Sequence, residues 1–243
     1  MRTLRGSVRQ HNPGSLVSLV IFVGVNSFLM IVLSWNIRGL GVVGKRKVMR
    51  GLVDRIKPMV LFIQETKLSS YDHKIFSSLG GSLLQKGVGV DAIRASDGLI
   101  TLWNEDKFVV SNCISRERLI FVIGQMTELK KVVGFCNVYA DTVESNRKTL
   151  WNDIVVILNS FPIPWVVGGD FNAVLDPSER IGASVNMGSI RNFNSFVLRA
   201  KVIYIPLQGM AYTWSNFRDS ATWSRLDRFL ISPMLMSWLH LLR

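Results

Sequence analysis

Short apolar runs that stop abruptly at polar residues set the pattern of this chain. Residues 165–169 form such a run, which ends in a Gly-Gly pair and is followed by Asp170 and, two positions later, Asn172. The run predicts a buried strand whose carboxyl end opens onto a site, and the spacing places both polar side chains on one side of an extended chain. Taken alone, the pair fits two interpretations equally. It is either an ordinary Asx turn at a strand end, or a site that holds a hydrated metal or directs a water at phosphorus.

Two apolar runs nearer the beginning flank a helical pattern. Residues 31–36 and 59–63 each predict a buried strand, and between them Val48, Leu52 and Ile56 recur along one face of a helix. A strand, a helix and a strand in this order indicate an α/β layer. The predicted helix begins with basic residues that fit either a solvated face or contact with a phosphate backbone: Lys45, Arg46, Lys47 and Arg50.

Shorter elements fill the middle and the end of the chain. Polar turns separate four apolar runs, the pattern of an antiparallel meander: residues 98–104, 108–110, 119–123 and 132–139. Helical periodicity and then strand patterns follow, with helices predicted at residues 150–158 and 190–200 and a strand pair at 211–216 and 224–231.

The first thirty residues allow more than one interpretation. Three arginines, at positions 2, 5 and 9, precede an apolar tract at residues 16–33, which resembles a signal peptide or signal anchor and is long enough to span a bilayer. The end of that tract is also the first predicted strand, and one segment cannot serve as both. We expect residues 1–29 to be an upstream extension outside the fold and residues 30–243 to be the domain, with a membrane anchor as the alternative.

Composition narrows the class of protein. With 48% apolar residues in 243, the chain can bury a large core. A net charge of +12 favours a polyanionic partner such as nucleic acid, although a basic protein without such a partner is the alternative. Cys113 and Cys136 form no metal-binding spacing and the three histidines are scattered, which argues against a zinc site and for a reducing compartment. We expect a nuclear or cytoplasmic protein.

Polar residues recur at the ends of the predicted strands. Each has an ordinary explanation when taken alone: a solvated strand end for Glu65, a core tyrosine for Tyr139 and a surface ion pair for Asp227. Five such strand ends in one chain are a stronger signal, because sites in layered α/β folds are built there. The residues are Asn36, Glu65, Tyr139, Asp170 with Asn172, and Asp227.

These residues lie in motifs that resemble the endonuclease/exonuclease/phosphatase superfamily, the DNase I-like group. The resemblance is nearest to the endonuclease domain of plant LINE-type (non-LTR) retrotransposons. The motifs appear in the family's order along the chain and are specific as a combination: Ser34 to Leu40, Gln64-Glu65-Thr66, Asn137-Val138-Tyr139, Gly169 to Asn172, Tyr212-Thr213-Trp214 and Arg225-Leu226-Asp227.

The resemblance implies a four-layer α/β sandwich that hydrolyses phosphodiester bonds of DNA with Mg²⁺, for which Mn²⁺ can substitute. Glu65 would be the principal metal ligand, with Asn36 beside it, and Asp170 would orient or deprotonate the attacking water. Three more residues would complete the catalytic set. Asn172 would help to hold the phosphate, Tyr139 would donate a hydrogen bond on the phosphate side, and Asp227 would support the site. The implied substrate-binding residues are Asn36, Arg38, Trp214 and Arg225. We expect a monomer that needs no small-molecule cofactor.

One departure from the family pattern bears on activity. The family closes with a Ser-Asp-His segment, which this sequence lacks, and His240 has no aspartate before it. We therefore expect the last strand of one sheet to be missing and activity to be reduced or lost, since a missing acid–base group typically costs about 10²–10⁴ in rate. Two alternatives stay open: a catalytically dead nucleic-acid-binding remnant or pseudogene product, and a phosphatase of a small phosphate ester.

Overall fold

The computed structural model describes residues 4–12, 15–25, 28–93 and 97–240. The strands are β1 (Leu4–Asn12), β2 (Ser15–Val25), β3 (Phe28–Asn36), β4 (Val60–Gln64), β5 (Lys86–Val90), β6 (Leu99–Trp103), β7 (Phe108–Arg116), β8 (Leu119–Met126), β9 (Lys131–Tyr139), β10 (Trp165–Asp170), β11 (Arg180–Ile181), β12 (Ile203–Tyr204), β13 (Leu207–Gln208), β14 (Trp214–Ser215), β15 (Trp223–Ser224) and β16 (Asp227–Ile231). The helices are α1 (Val43–Ile56), α2 (His73–Gly80), α3 (Glu144–Ser160), α4 (Met187–Arg199) and α5 (Pro233–His240).

Two large sheets carry the fold. The first has the order β13-β1-β2-β3-β4-β6-β5 and the second β12-β16-β10-β9-β8-β7, and a small third sheet joins β11, β15 and β14. Each large sheet has one parallel pair at its centre, β3 with β4 and β9 with β10. The carboxyl ends of these paired strands therefore lie together at one edge of each sheet, which is where the polar strand ends were predicted.

The sheets pack face to face and the helices cover their outer faces. Between the sheets, Phe62 of β4 lies 6.4 Å from Phe229 of β16, measured between ring centroids. On the far side of the second sheet, Trp151 of α3 stacks at 4.6 Å on Phe196 of α4. On the far side of the first sheet, Leu52 of α1 belongs to the apolar cluster beneath the helices. The order helix, sheet, sheet, helix confirms the predicted four-layer α/β sandwich.

The expectation that residues 1–29 lie outside the fold is wrong for the part that the structure describes. β2 and β3 form an antiparallel ladder, in which Ser18 pairs with Trp35 at one end and Val25 pairs with Phe28 at the other. β1 pairs with β2 in turn. Leu19, Ile21 and Val23 of β2 are buried among the core side chains of the first sheet.

The physical reason for this error is the ambiguity of a continuous apolar tract. Such a tract fits a spanning segment, an extension or two buried strands alike, and only pairing partners distinguish them. Without β2, one side of β3 would be an unpaired sheet edge. β2 pairs with that side of β3. Arg2 and residues 26–27, which entered the sequence argument, lie outside the described residues. The predicted domain limit at residue 243 stays a prediction.

Across the described ranges of the chain, we find no helix with both the length and the apolar character needed to cross a membrane.

Candidate active site

The two sheets bring the predicted strand ends to one place. In the second sheet, Asp170 at the end of β10 is paired with Tyr139 of β9 on one side and with Asp227 of β16 on the other. In the first sheet, Asn36 ends β3 beside Gln64, and Glu65 follows directly. A hydrogen bond joins the two sets, because the Asn36 Nδ2 donates to the Asp170 Oδ2 at 2.9 Å.

Asp170 and Asn172 form the Asx turn that one of the two interpretations predicted. The Asn172 backbone N–H donates to the Asp170 Oδ1 at 2.9 Å, which is an Asx turn. The other carboxylate oxygen meets the opposite sheet at Asn36. The Asn172 side chain donates from Nδ2 to the Ala140 carbonyl at 2.7 Å, and its φ of 44° is left-handed. Non-glycine residues held in this conformation cluster at functional sites, and Arg38, Glu65 and Lys67 share it here.

Glycine is required just before Asp170. Gly169 has a φ of 137°, and a Cβ at that position would collide with the Val138 carbonyl of the neighbouring strand. The Gly-Gly pair that ended the apolar run in the sequence thus lets β10 approach β9 closely while it turns Asp170 to its place.

Burial controls the ionisation of the two aspartates. Burial raises the pKa of Asp170. The hydrogen bonds from Asn172 and Asn36 oppose this increase, and the charge of Glu65 adds to it. Burial also raises the pKa of Asp227 well above its ordinary value, and the neighbouring charge of Asp170 raises it further. The guanidinium of Arg38 opposes both shifts. Both carboxylates therefore hold their protons more tightly than exposed ones do, chiefly because they are buried.

The donor chemistry around Glu65 fits a magnesium ion. No group of three or more His, Cys, Asp or Glu side chains able to hold a metal is found in the described ranges. Mg²⁺ does not need such a cage, because it keeps several waters and is typically held by one or two carboxylates. Glu65 is only partly exposed, has Lys67 Nζ at 3.2 Å as its ammonium partner, and adds its negative charge to that of Asp170. A divalent cation held by Glu65 and the Asn36 amide oxygen would add positive charge beside these two carboxylates.

Tyr139 is a buried hydrogen-bond donor. Burial is the largest cause that raises the pKa of its phenol, and the charges of Glu65 and Asp170 act in the same direction. The phenol therefore keeps its proton at neutral pH. The Arg118 guanidinium lies 5.5 Å from the centre of its ring and pairs with Asp97 at 3.1 Å.

Among the four predicted substrate-binding residues, the structure places three beside the carboxylates or the cavity next to them. Asn36 bonds to Asp170, and Arg38 lies close enough to act on the charge of both aspartates. Trp214 lines a cavity of 460 Å³ that Asn172 also lines. The Arg225 guanidinium, in contrast, donates to the Ala211 carbonyl at 2.6 Å and to the Tyr204 hydroxyl at 3.1 Å.

Two of the four basic residues at the start of α1 contact the loop beside the site. The Lys45 ammonium donates to the carbonyls of Ile37 and Arg38 at 2.8 and 2.7 Å, and the Arg46 Nε donates to the Leu40 carbonyl at 2.9 Å. These contacts hold the loop that follows Asn36. Burial lowers the pKa of Lys45, and the neighbouring charge of Lys67 lowers it further.

Sequence reasoning missed several polar residues behind the site. Gln64 and Asn137 are fully buried and bond across the sheets, Nε2 to Oδ1, at 2.7 Å. The signal was available, since each is a polar residue inside an apolar strand run. Arg228 is also fully buried and pairs with Glu179 at 3.0 Å. That pair had no sequence signal, because its partners are 49 residues apart.

Several solved structures share this fold. An AP endonuclease from Leishmania major is 16% identical, with a TM-score of 0.63, and the alignment covers 93% of this chain and 82% of that one. The human Nocturnin catalytic domain is 18% identical at a TM-score of 0.57, covering 88% and 85%. A mannosyl-6-phosphatase from Bacteroides thetaiotaomicron is 15% identical at 0.58, covering 84% and 85%. At such identities the likeness shows the fold alone.

One curated protein and one family profile match the sequence itself. The "Transposon TX1 uncharacterized 149 kDa protein" of Xenopus laevis is 26% identical over 157 residues, which is 58% of this chain. The matching segment is only 12% of that protein's length. The profile of the endonuclease/exonuclease/phosphatase family matches residues 33–237, a range that contains every predicted site residue. The chain therefore belongs to the endonuclease/exonuclease/phosphatase family.

Proposed function

We propose that this chain is a Mg²⁺-dependent endonuclease domain that hydrolyses phosphodiester bonds of DNA, with Mn²⁺ as a possible substitute metal. The observation that carries the proposal is the Asn36–Asp170 hydrogen bond at 2.9 Å, which joins the strand ends of both sheets beside Glu65. Likeness to a transposon protein and the charge of +12 favour DNA as the substrate. On this basis we infer the nicking step of a LINE-type retrotransposon as its role.

Each residue of the site has a task in this reaction. Asp170 accepts the proton of the attacking water or orients that water. Its pKa is raised toward neutral pH, where a general base works best. The hydrogen bonds from Asn36 and Asn172 keep its two oxygens oriented. Tyr139 donates its phenolic proton in a hydrogen bond to a phosphate oxygen.

The remaining groups support the phosphate and the metal. Glu65 and Asn36 would hold Mg²⁺, which supplies positive charge against the charge that develops on the phosphate oxygens. Arg38 provides a guanidinium at the same edge, and Asp227 supports Asp170 from the adjacent strand.

Plasmid nicking tests the proposal. Supercoiled plasmid is incubated with the protein and Mg²⁺, with a chelator in a parallel reaction, and with a version that carries a family-type Ser-Asp-His tail. We expect Glu65→Ala to lower nicking by at least about 10²-fold. The matched control is Glu105→Ala, which removes an exposed carboxylate from a surface ion pair with Lys86. Equal nicking by Glu65→Ala and wild type, or no nicking by the tailed version, would contradict the assignment.

The net charge also favours a second candidate function, DNA binding without cleavage. Binding that weakens with salt while the tailed version still fails to nick would support it. A phosphatase activity is tested in the same series, by comparing turnover of the plasmid with release of phosphate from a sugar phosphate.

A further inference from the structure

A buried ion pair lies behind the candidate active site, on the helix-covered face of the second sheet. Arg228 is completely buried, and its guanidinium binds the Glu179 carboxylate in a two-pronged contact, with Nη1 to Oε1 at 3.2 Å and Nη2 to Oε2 at 3.0 Å. The guanidinium also lies 5.2 Å from the ring centre of Phe193 in α4. A charge buried in this way is tolerated only while it is paired.

The pair does not face the strand ends themselves. Successive side chains of a strand point to opposite faces, and Phe229 of β16 belongs to the core between the sheets, whereas Leu230 belongs to the core under α3 and α4. Asp227 therefore shares a face with Phe229, and Arg228 points to the helices. Any effect of Arg228 on the reaction must act through the residues that it holds.

Those residues belong to the two loops that deliver Asn172 and Asp227. The Arg228 Nη2 donates to the Ala173 carbonyl at 2.9 Å, one residue after Asn172, and to the Arg225 carbonyl at 2.7 Å, two residues before Asp227. One guanidinium thus ties the segment that leaves β10 to the segment that enters β16.

Glu179 ties the same two segments from its own side. Its Oε2 accepts the Leu175 N–H at 2.6 Å, and its backbone carbonyl accepts the Arg225 N–H at 2.9 Å. Its Oε1 also lies 3.8 Å from the Arg225 Nη1.

We propose that the Glu179–Arg228 pair is a positioning device that fixes the loops bearing Asn172 and Asp227 relative to each other. The effect of this pair on catalysis rests on the proposed function. A shift of about 1 Å in a catalytic group costs about 10²-fold in rate, so loss of the pair should slow the reaction. The pair makes no contact with substrate in this role. Its loss therefore lowers kcat and leaves KM within about twofold of wild type.

Two variants separate positioning from stability. Glu179→Gln keeps the shape and removes the negative charge, so it leaves Arg228 buried without its partner. The double variant Glu179→Met with Arg228→Met removes both charges at similar volume, a replacement that buried ion pairs often tolerate without loss of stability. Glu105→Gln, at the exposed pair with Lys86, is the control for a carboxylate lost at the surface.

Three measurements are made on each variant in the full chain with the added Ser-Asp-His tail. They are the melting temperature, the kcat and KM of plasmid nicking, and amide hydrogen exchange of the metal-free protein over residues 171–179 and 224–228. We expect the double Met variant to melt within a few degrees of wild type, yet to nick about 10²-fold more slowly and to exchange faster in both segments. Adding Asp227→Asn to it should slow nicking no further, because the two changes act on one unit.

The exchange measurement separates the two proposals. Faster exchange in both segments of the double Met variant, with no nicking by the otherwise unsubstituted tailed chain, would overturn the proposed function and leave the tie between the loops in place. Unchanged exchange in both segments of the double Met variant would overturn the positioning role whatever the activity of the tailed chain. If the tailed chain nicks, an equal nicking rate of the double Met variant would overturn it as well.

Discussion

The carboxylates of Asp170 and Asp227 occupy paired positions on neighbouring strands, and each is buried. Their hydrogen bonds differ. The Asp170 carboxylate accepts from the Asn36 side chain and the Asn172 backbone, whereas the Thr213 side chain is the hydrogen-bond partner that lowers the pKa of Asp227. When two acids are buried close together, the one that is better solvated or better hydrogen-bonded stays ionised, and the other one keeps its proton. On this ground we propose Asp170, rather than Asp227, as the base.

Asp170→Asn tests that assignment. The amide keeps the shape but cannot accept a proton, so we expect nicking to fall by about 10²–10⁴-fold with little change in DNA affinity. The measurement is the single-turnover rate, with an electrophoretic shift assay for binding. Asp153→Asn, which removes a partly exposed carboxylate that pairs with Arg116, is the control. A similar rate for both variants would remove Asp170 from the mechanism.

Asp227 carries a prediction about stability and pH. Because its pKa is raised in the folded state, the folded protein binds its proton more tightly than the unfolded chain does. Stability from this group is present below the unfolded pKa and is lost as pH rises toward the folded one. We expect Asp227→Asn to raise the free energy of unfolding at pH 7 by an amount on the order of 1 kcal/mol, seen as a higher melting temperature. We expect this difference to shrink at pH 4. A difference that grows on acidification would show a lowered pKa instead.

At the scale of elements, strand runs and their ends were predictable and partner-dependent features were not. β10 and its polar end followed from one apolar run, because a strand buried on both faces reads as continuous apolar sequence. The segment with α2 and β5 gave no prediction. Its signals are weak: a short helix capped by Asp72, which accepts the Ile75 N–H at 2.8 Å, and a strand with two glycines. Buried pairs such as Arg228 with Glu179 depend on chain segments far apart in sequence, which a local pattern does not contain.

The placement of β2 gives a prediction at this scale. Ile21 is completely buried in the first sheet, so Ile21→Ala should destabilise the protein by about 2–5 kcal/mol. Chemical denaturation measures the change, and Val132→Ala, at a strand position that is 42% exposed, is the control. If Ile21→Ala unfolds at the same denaturant concentration as wild type, the residues before Phe28 do not belong to the folded core.

For the whole molecule, net charge is the property that sequence alone could supply. A charge of +12 favours association with a polyanion at long range, and that attraction weakens as salt screens it. The arrangement of the cations could not be predicted in the same way. The sequence left Lys45 and Arg46 open between a solvated face and contact with a phosphate backbone, and in the structure both donate to loop carbonyls of the protein.

We expect DNA affinity to fall steeply with salt. If the domain neutralises about six phosphates, the affinity should drop by about 10³-fold between 50 and 200 mM salt. Fluorescence anisotropy with a labelled duplex, in chelator to prevent cleavage, measures the slope. An affinity that does not change over this range, or no binding at 50 mM, would exclude DNA as an electrostatically bound partner.

The hydrogen bond from Asn36 to Asp170 has a consequence for residues that never approach the substrate. Its donor and acceptor belong to different sheets, and the distance between those sheets is set by core side chains such as Phe62 and Phe229. Gly168 of β10 packs against the Phe229 ring without room for a side chain. The core side chains therefore set the separation that the Asn36–Asp170 hydrogen bond spans, and we expect a core substitution that moves the sheets to disturb this hydrogen bond before it unfolds the domain.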